Sequence, residues 1–126
     1  MTARSPEPIN LADKLNRFSE TWSPKIIGEL NNQHVKLAKF DGEFTWHSHD
    51  NEDEMFYVIE GELELRFRDG SVTLRDGDLY IVPRGVEHLP IAHQPTSVLL
   101  FEPATTINTG ATDDDRRMNP ETLDRL

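Results

Sequence analysis

Three histidines and one glutamate carry the strongest chemical signal in this chain of 126 residues. His47 and His49 are separated by one residue, Glu54 follows shortly after them, and His88 lies further along. Because side chains alternate between the two faces of a strand, His47 and His49 are expected to point to the same side. A carboxylate that opens the neighbouring strand can close over the same point. We therefore predict a metal site built from His47, His49, Glu54 and His88.

Other carboxylates compete for the acidic position of this site. Glu52 and Asp53 lie just before Glu54, but only Glu54 opens a predicted regular strand, where the direction of its side chain is fixed. Glu87 is a weaker rival because it would point away from the adjacent His88. Glu54 is therefore the preferred ligand.

The donor set indicates which ions the site accepts. The chain contains no cysteine, so the ligands are nitrogen and oxygen atoms only. Such a set suits one divalent ion of Fe, Mn, Ni or Zn, and four protein ligands leave two positions open on an octahedral ion. Two imidazoles on one inward face repel each other when protonated, and a metal keeps them neutral. His34 and His93 have no such arrangement and are interpreted as ordinary surface or core residues.

The elements that must position these side chains are predicted to be short strands. Turn-forming pairs separate runs in which apolar and polar residues alternate. The predicted strands are 25–30, 34–40, 44–49, 55–60, 62–68, 71–75, 78–82 and 96–102. The pairs Asn31-Asn32 and Asp41-Gly42 are interpreted as turns, and Pro95 is expected to break the chain before the last strand. Short strands at this spacing predict an all-β sandwich or barrel.

The two ends of the chain are predicted to differ from the barrel. Residues 1–24 form an arm and a short helix, which Asn10 is expected to cap. Residues 25–103 form the β-barrel. Residues 104–126 form an irregular polar tail with little to bury, in which Asn119-Pro120 opens one short helical turn.

Composition excludes several classes of function. The formal net charge of −10 argues against nucleic acid as a partner, because phosphates would be repelled. No apolar run approaches the length of a membrane span, and the first residues do not resemble a signal peptide. The protein is therefore expected to be cytoplasmic, with neither nucleic acid nor membrane as a partner.

Two ordered motifs resemble those of the cupins. His47-x-His49-x4-Glu54-x6-Gly61 resembles the first cupin motif, and Gly77-x5-Pro83-x-Gly85-x2-His88 resembles the second. The resemblance covers about residues 40–102. It implies a double-stranded β-helix, or jelly-roll barrel, and it implies that His47, His49, Glu54 and His88 bind the metal. Two positions depart from the pattern: Gly42 lies one residue closer to the first histidine, and Ala92 stands where an asparagine often ends the second motif.

The resemblance also sets the range of functions. Cupins include dioxygenases, sugar isomerases, epimerases, decarboxylases, storage proteins and ligand-sensing domains, so fold and metal alone do not define the reaction. The chain is most similar to small single-domain cupins, which are often homodimers with terminal segments that cross between subunits. The leading hypothesis is a metal-dependent dioxygenase acting on a small molecule, followed by an isomerase or lyase. A non-catalytic barrel that binds or senses a small ligand is the alternative, and the intact ligand set opposes a barrel that has lost its metal.

Four residues are predicted to line or reach the pocket beside the metal. Phe56 and Val58 are expected to face inward and give a partly apolar wall. No side chain stands out as a general base, and Lys36 and Tyr80 are the candidates that reach the pocket.

Overall fold

Strands dominate residues 7–126, which are the residues that this computed structural model describes. Predictions on residues 1–6 lie outside the described residues. The elements are α1 Leu11–Leu15, β1 Lys25–Leu30, β2 Gln33–Glu43, β3 Glu54–Glu60, β4 Glu62–Phe67, β5 Gly70–Arg75, β6 Leu79–Val82, β7 Leu89–Pro103 and a 3₁₀ turn, Pro120–Thr122. Within residues 7–126, no helix has the length and apolar character needed to cross a membrane.

The long strand β7 organises the barrel. It pairs antiparallel with β2, β3 and β4, which gives the strand order β1-β2-β7-β3-β6, with β4 also paired to β7 and β5 paired to β4. Alternation along these strands turns apolar side chains inward, and Val58, Leu63, Leu65 and Val98 are completely buried. The predicted all-β jelly-roll fold is confirmed.

Two predicted chain breaks are wrong, because both lie inside long strands. β7 continues through Pro95, and β2 continues through Asp41 and Gly42. The two positions face each other at an irregularity of the ladder, where the register shifts between Phe40 and Gly42. A proline lacks the N–H that a regular ladder requires, and a bulge is a place where that donor is not needed.

The predicted strand 44–49 is also wrong. Among the described residues, this segment makes a single bridge, in which His47 pairs with His88. Phe44 N also donates to Pro90 O of β7 at 2.9 Å, and further hydrogen bonds join the segment to the Gly85 loop and to Thr112 of the C-terminal tail. The alternation correctly predicted that His47 and His49 reach the same side. It does not show whether a partner strand lies alongside the segment.

The ends of the chain pack on the barrel. The Asn10 side chain caps α1 as predicted by accepting a hydrogen bond from Asp13 N at 2.9 Å. The tail is irregular, but the expectation that it has little to bury is wrong, since Thr106 and Thr109 are at most 1% exposed. The backbone N–H of Leu126, the last residue, donates to Ile26 O at 2.9 Å.

Candidate metal centre

The structure brings the four predicted ligands together inside the barrel. One potential ligand atom from each of His47, His49, Glu54 and His88 lies within 4.8 Å of the others. All four residues are at most 4% exposed. Because they come from three separate segments, the chain must hold those segments in register.

Backbone hydrogen bonds provide this register. His47 and His88 exchange two of them, from His47 N to His88 O at 3.1 Å and from His88 N to His47 O at 2.9 Å. The carbonyl oxygen of His49 accepts from Gly85 N at 2.8 Å, and Gly85 has a φ of +82°, which favours glycine. Glu54 opens β3 opposite Val82 of β6. The residues between the second-motif proline and His88 therefore fasten the loop that carries the first two histidines.

Two of the imidazoles are oriented by bonds on the side away from the centre. His47 Nδ1 lies 2.8 Å from Thr45 O, and His88 Nδ1 lies 2.9 Å from Val86 O. A carbonyl oxygen only accepts, so each Nδ1 must carry the proton, and a neutral ring then has a free lone pair on Nε2. This is the tautomer that a metal ligand needs.

The polar atoms at the centre lack other partners. His49 Nε2, His88 Nε2 and Glu54 Oε1 have no hydrogen-bond partner among the described residues, although all three are buried. Glu54 Oε1 lies 3.3 Å from His49 Nε2 and 3.4 Å from His88 Nε2. Ligand atoms about 2.1 Å from one ion are separated by about 3 Å when adjacent and about 4 Å when opposite. The four residues therefore fit a single divalent ion.

The electrostatics of the cluster also favour a cation. Burial, together with the neighbouring His88, lowers the pKa of His47 to about 4, so His47 is neutral at physiological pH. For His49, the effect of burial is outweighed by the Glu54 carboxylate 3.3 Å away, and the pKa is raised. Burial would raise the pKa of Glu54, but the pKa is lowered because the imidazoles of His49 and His88 lie 3.3 and 3.4 Å from Glu54 Oε1. The centre thus holds an ionised carboxylate among imidazoles.

The rival carboxylates are engaged elsewhere. Glu52 accepts a hydrogen bond from Thr105 Oγ1 at 2.8 Å, and Asp53 accepts one from Arg84 N at 2.9 Å. Glu87 is exposed and pairs with an arginine on the surface.

The two remaining histidines lie outside the cluster, as predicted. His93 is half exposed and its Nε2 lies 2.8 Å from a Glu64 oxygen. His34 is buried, and its Nε2 lies 3.3 Å from a Glu29 oxygen.

A small cavity adjoins the centre and is mainly apolar. Its volume is about 30 Å³, room for about two water molecules. The lining residues are Trp22, Pro24, Phe40, Phe44, His47, Glu54, Phe56, Leu100 and Asn108. Trp22 stacks between Phe40 and Phe44, with ring centroids 4.2 and 4.6 Å apart. These three rings form one wall of the space beside the metal ligands.

Of the four predicted pocket residues, the structure places Phe56 alone on this cavity. Val58 belongs to the buried core, and Tyr80 packs against Phe67 with ring centroids 5.7 Å apart. Lys36 is inside the barrel, but its Nζ lies 2.6 Å from Glu102 Oε2.

Sequence reasoning missed Glu102, the aromatic wall and Asn108. Glu102 shares the inward alternation of Val98 and Leu100, and that parity was a signal that could have revealed it. In the structure, Glu102 lies beside Glu54 on the neighbouring strand, and burial together with the charge of Glu54 raises the pKa of Glu102. No local pattern indicated Trp22 or Asn108, which come from segments outside the two motifs.

The C-terminal tail covers the segment that carries His47 and His49. Thr112 Oγ1 donates to Trp46 O at 2.8 Å, and the Arg116 guanidinium donates to Phe44 O at 3.1 Å. Gly110 packs so closely that a Cβ atom there would collide with the Ser48 carbonyl oxygen. The tail therefore helps to fix the loop that carries His47 and His49 from outside.

Comparison with known proteins agrees with this geometry. A family model described as the cupin domain matches residues 33–102. The chain belongs to the cupin family. This cupin is 39% identical over 94 residues to the uncharacterized protein YdbB of Bacillus subtilis, a match that covers 74% of this chain and 83% of YdbB. It is 45% identical to a cupin-2 domain containing protein from Shewanella frigidimarina, whose crystal structure it matches with a TM-score of 0.75 over 75% of this chain and 93% of the other.

A more distant match is to a named enzyme. Over 82 residues this cupin is 30% identical to 3-hydroxyanthranilate 3,4-dioxygenase 2 of Aspergillus fumigatus. The match covers 59% of this chain but 42% of the dioxygenase, so this cupin spans well under half the length of that relative.

Proposed function

We propose that this cupin is a mononuclear metalloenzyme that acts on a small molecule, with dioxygenase chemistry. The observation that carries the proposal is the convergence of four buried ligands beside an apolar cavity, which His47 and Glu54 line. Three of the ligand atoms have no hydrogen-bond partner among the described residues. Unsatisfied polar atoms are costly inside a protein, and a bound cation satisfies all of them at once.

His47, His49, Glu54 and His88 would hold one divalent ion of Fe, Mn, Ni or Zn. Three imidazoles and a carboxylate suit these ions better than calcium or magnesium, which prefer oxygen ligands. When bound, such an ion supplies Lewis-acid chemistry and, for iron or manganese, redox chemistry at the positions left free by the protein. The carbonyl oxygens of Thr45 and Val86 keep His47 and His88 in the required tautomer.

The cavity indicates the substrate class. Its aromatic wall favours a small, largely apolar molecule, whose oxygen atoms would direct it to the ion. The match to an enzyme named for 3-hydroxyanthranilate supports a planar, oxygen-bearing substrate of this kind. A ring is larger than the present cavity, so the Trp22 stack would have to shift when such a substrate enters.

An oxygenase fits the site better than an isomerase or lyase, which needs a group that moves a proton. Among the described residues that line the cavity, only His47 and Glu54 carry titratable side chains, and both belong to the metal set. Lys36, a candidate base, is held by Glu102. The lack of a free proton-transfer group among the described residues that line the cavity also favours a second candidate, a metal-loaded barrel that binds a small ligand without turnover.

Metal analysis of the purified protein tests the centre. Wild-type protein is expected to hold about one equivalent of metal after reconstitution, and Glu54→Gln and His49→Ala are expected to lose it. Glu52→Gln is the matched control, since Glu52 lies two residues away and bonds to Thr105 instead. Metal should also raise the melting temperature of the wild-type protein, and a chelator should lower it, because the unfolded chain does not present the site.

Oxygen consumption then separates the two candidates. Iron-loaded protein is offered a panel of small aromatic diols, aminophenols and diketones, with Glu54→Gln as the inactive control. Oxygen uptake with one of these compounds supports the dioxygenase. Tight binding without uptake supports the ligand-binding barrel, and failure of the wild-type protein to bind any of the four metals refutes both.

The prediction of a homodimer, with terminal segments crossing between subunits, stays a prediction. Sedimentation velocity tests it directly. A species with the mass of one chain at micromolar concentration would contradict it.

A further inference from the structure

A buried row of charged side chains lies behind the predicted metal ligand Glu54. Lys36 and Glu102 are 1% and 3% exposed, and Lys36 Nζ lies 2.6 Å from Glu102 Oε2. On its other side lies Glu54 of the neighbouring strand β3, and Glu102 Oε1 has no hydrogen-bond partner among the described residues. Three ionisable groups from three strands therefore lie side by side inside the barrel.

The strand register explains how they meet. Met55 of β3 pairs with Phe101 of β7, so Glu54 and Glu102 lie at the same level on neighbouring strands. Lys36 of β2 pairs with Leu100, one inward position away from Glu102 on the same strand. Glu102 is thus held between Lys36 on one side and Glu54 on the other.

A buried row of charged side chains fills a core less favourably than apolar side chains of similar volume would. Removing charges from water is costly, and a well-packed apolar pair of similar volume is often as stable as a buried ion pair or more so. The next inward position on each of the three strands is apolar: Ala38 on β2, Phe56 on β3 and Leu100 on β7. The placement of Lys36 and Glu102 directly behind a metal ligand suggests a reason connected with that ligand.

We propose that Glu102, anchored by Lys36, is a positioning residue that holds the Glu54 carboxylate in the direction of His47, His49 and His88. The proposal rests on the proposed function, since it assumes that Glu54 binds a metal. A carboxylate on a glutamate side chain rotates freely about its last bond unless another group fixes it. Partners behind metal ligands commonly fix them in this way, and their loss reduces metal affinity about 10- to 100-fold.

The test compares four variants by cobalt(II) binding. Lys36→Met with Glu102→Leu, made together, replaces the buried pair by apolar side chains of similar size and is expected to fold. Glu102→Gln keeps a donor toward Glu54 and an acceptor toward Lys36, so it is the conservative variant. Glu102→Leu alone removes the carboxyl group beside Glu54. Lys25→Met is the matched control, because Lys25 is another buried lysine, 3.0 Å from Asp124 and away from the metal cluster.

The visible absorption spectrum of cobalt(II) and its dissociation constant are measured for each protein, and the melting temperature of the metal-free form is measured beside them. We expect the double variant and Glu102→Leu to bind cobalt about 10- to 100-fold more weakly, with an altered spectrum. Glu102→Gln and Lys25→Met should match the wild type within a few-fold. An altered spectrum in a variant that melts like the wild type identifies positioning rather than folding.

Two outcomes would overturn the proposal in different ways. If the double variant binds cobalt with wild-type affinity and spectrum, Glu102 does not position Glu54, and the metal site itself stands. If wild-type protein binds no cobalt, iron, manganese, nickel or zinc, the proposed function has failed, and the positioning role falls with it.

Discussion

Replacement of His47 should change how the stability of the metal-free protein depends on pH. His47 is 4% exposed, and its pKa is lowered to about 4 by burial and by the neighbouring His88. In the unfolded chain, the same side chain has an ordinary pKa of about 6.5. At pH values between these two pKa values, His47 is mostly protonated in the unfolded chain and mostly neutral in the folded chain.

The sign and size of the effect follow from this difference. Where the unfolded state holds more protons, the free energy of unfolding rises with pH, by about 1.4 kcal/mol per pH unit for one proton. From pH 4 to 6.5 the contribution of His47 amounts to about 3 kcal/mol. Protonation of buried His47 therefore destabilises the fold as the pH falls through this range, and a side chain that does not titrate removes that loss.

Urea denaturation of chelator-treated protein between pH 4 and 7 measures the effect. The difference in unfolding free energy between wild type and His47→Asn should change by about 3 kcal/mol between pH 4 and 6.5, with the variant relatively more stable at the acidic end. His93→Asn is the matched control, because His93 is half exposed on the surface. A constant difference between wild type and His47→Asn across this range would refute a buried, neutral His47.

Three further predictions concern the wall, the tail and the centre. Trp22→Ala should lower the free energy of unfolding by about 3–5 kcal/mol, because a buried, stacked ring is lost. Trp46→Ala is the control and should lower the free energy of unfolding by less, because Trp46 is half-buried. Equal decreases for the two variants in urea denaturation would contradict the stacked wall. Gly110→Ala should destabilise the protein more than Gly77→Ala. Both glycines have positive φ, but of the two only Gly110 lies where a Cβ atom would collide with backbone. Equal urea denaturation midpoints for the two variants would contradict that close approach. Metal affinity should fall as the pH drops through the raised pKa of His49, because the proton held by that ring near Glu54 must leave before a metal binds. Calorimetry in buffers of different ionisation enthalpy measures the released proton, and a pH-independent affinity would contradict this competition.

Local features of the fold could be predicted from the sequence because they depend on near neighbours. Asn10 caps the first helix through a residue three positions away. The Asn31-Asn32 turn adopts positive φ at both residues, 48° and 65°, as a tight hairpin requires. The spacing of His47 and His49 likewise predicted that both side chains reach the same centre, where the structure brings them together.

The errors concern partners that are distant in sequence. Alternation over residues 44–49 indicated a strand, but the structure pairs only His47, with a residue from the second motif. Pro95 was expected to break the chain before the last strand, yet an irregularity in β2 lets β7 continue through it. A local pattern shows which way a side chain points, but not which segment lies beside it.

The available chemistry can be read from the amino-acid sequence: nitrogen and oxygen donors, no thiolate, and two motifs that place three histidines and a glutamate in order. The tertiary structure decided what surrounds them. It set Glu102 and Lys36, 66 residues apart, behind Glu54, and it set Trp22 between two phenylalanines beside the cavity. It also laid the polar tail over the histidine loop. These contacts depend on strand register and on long-range packing, which arise only when the whole barrel closes and are not encoded in any short stretch of the chain.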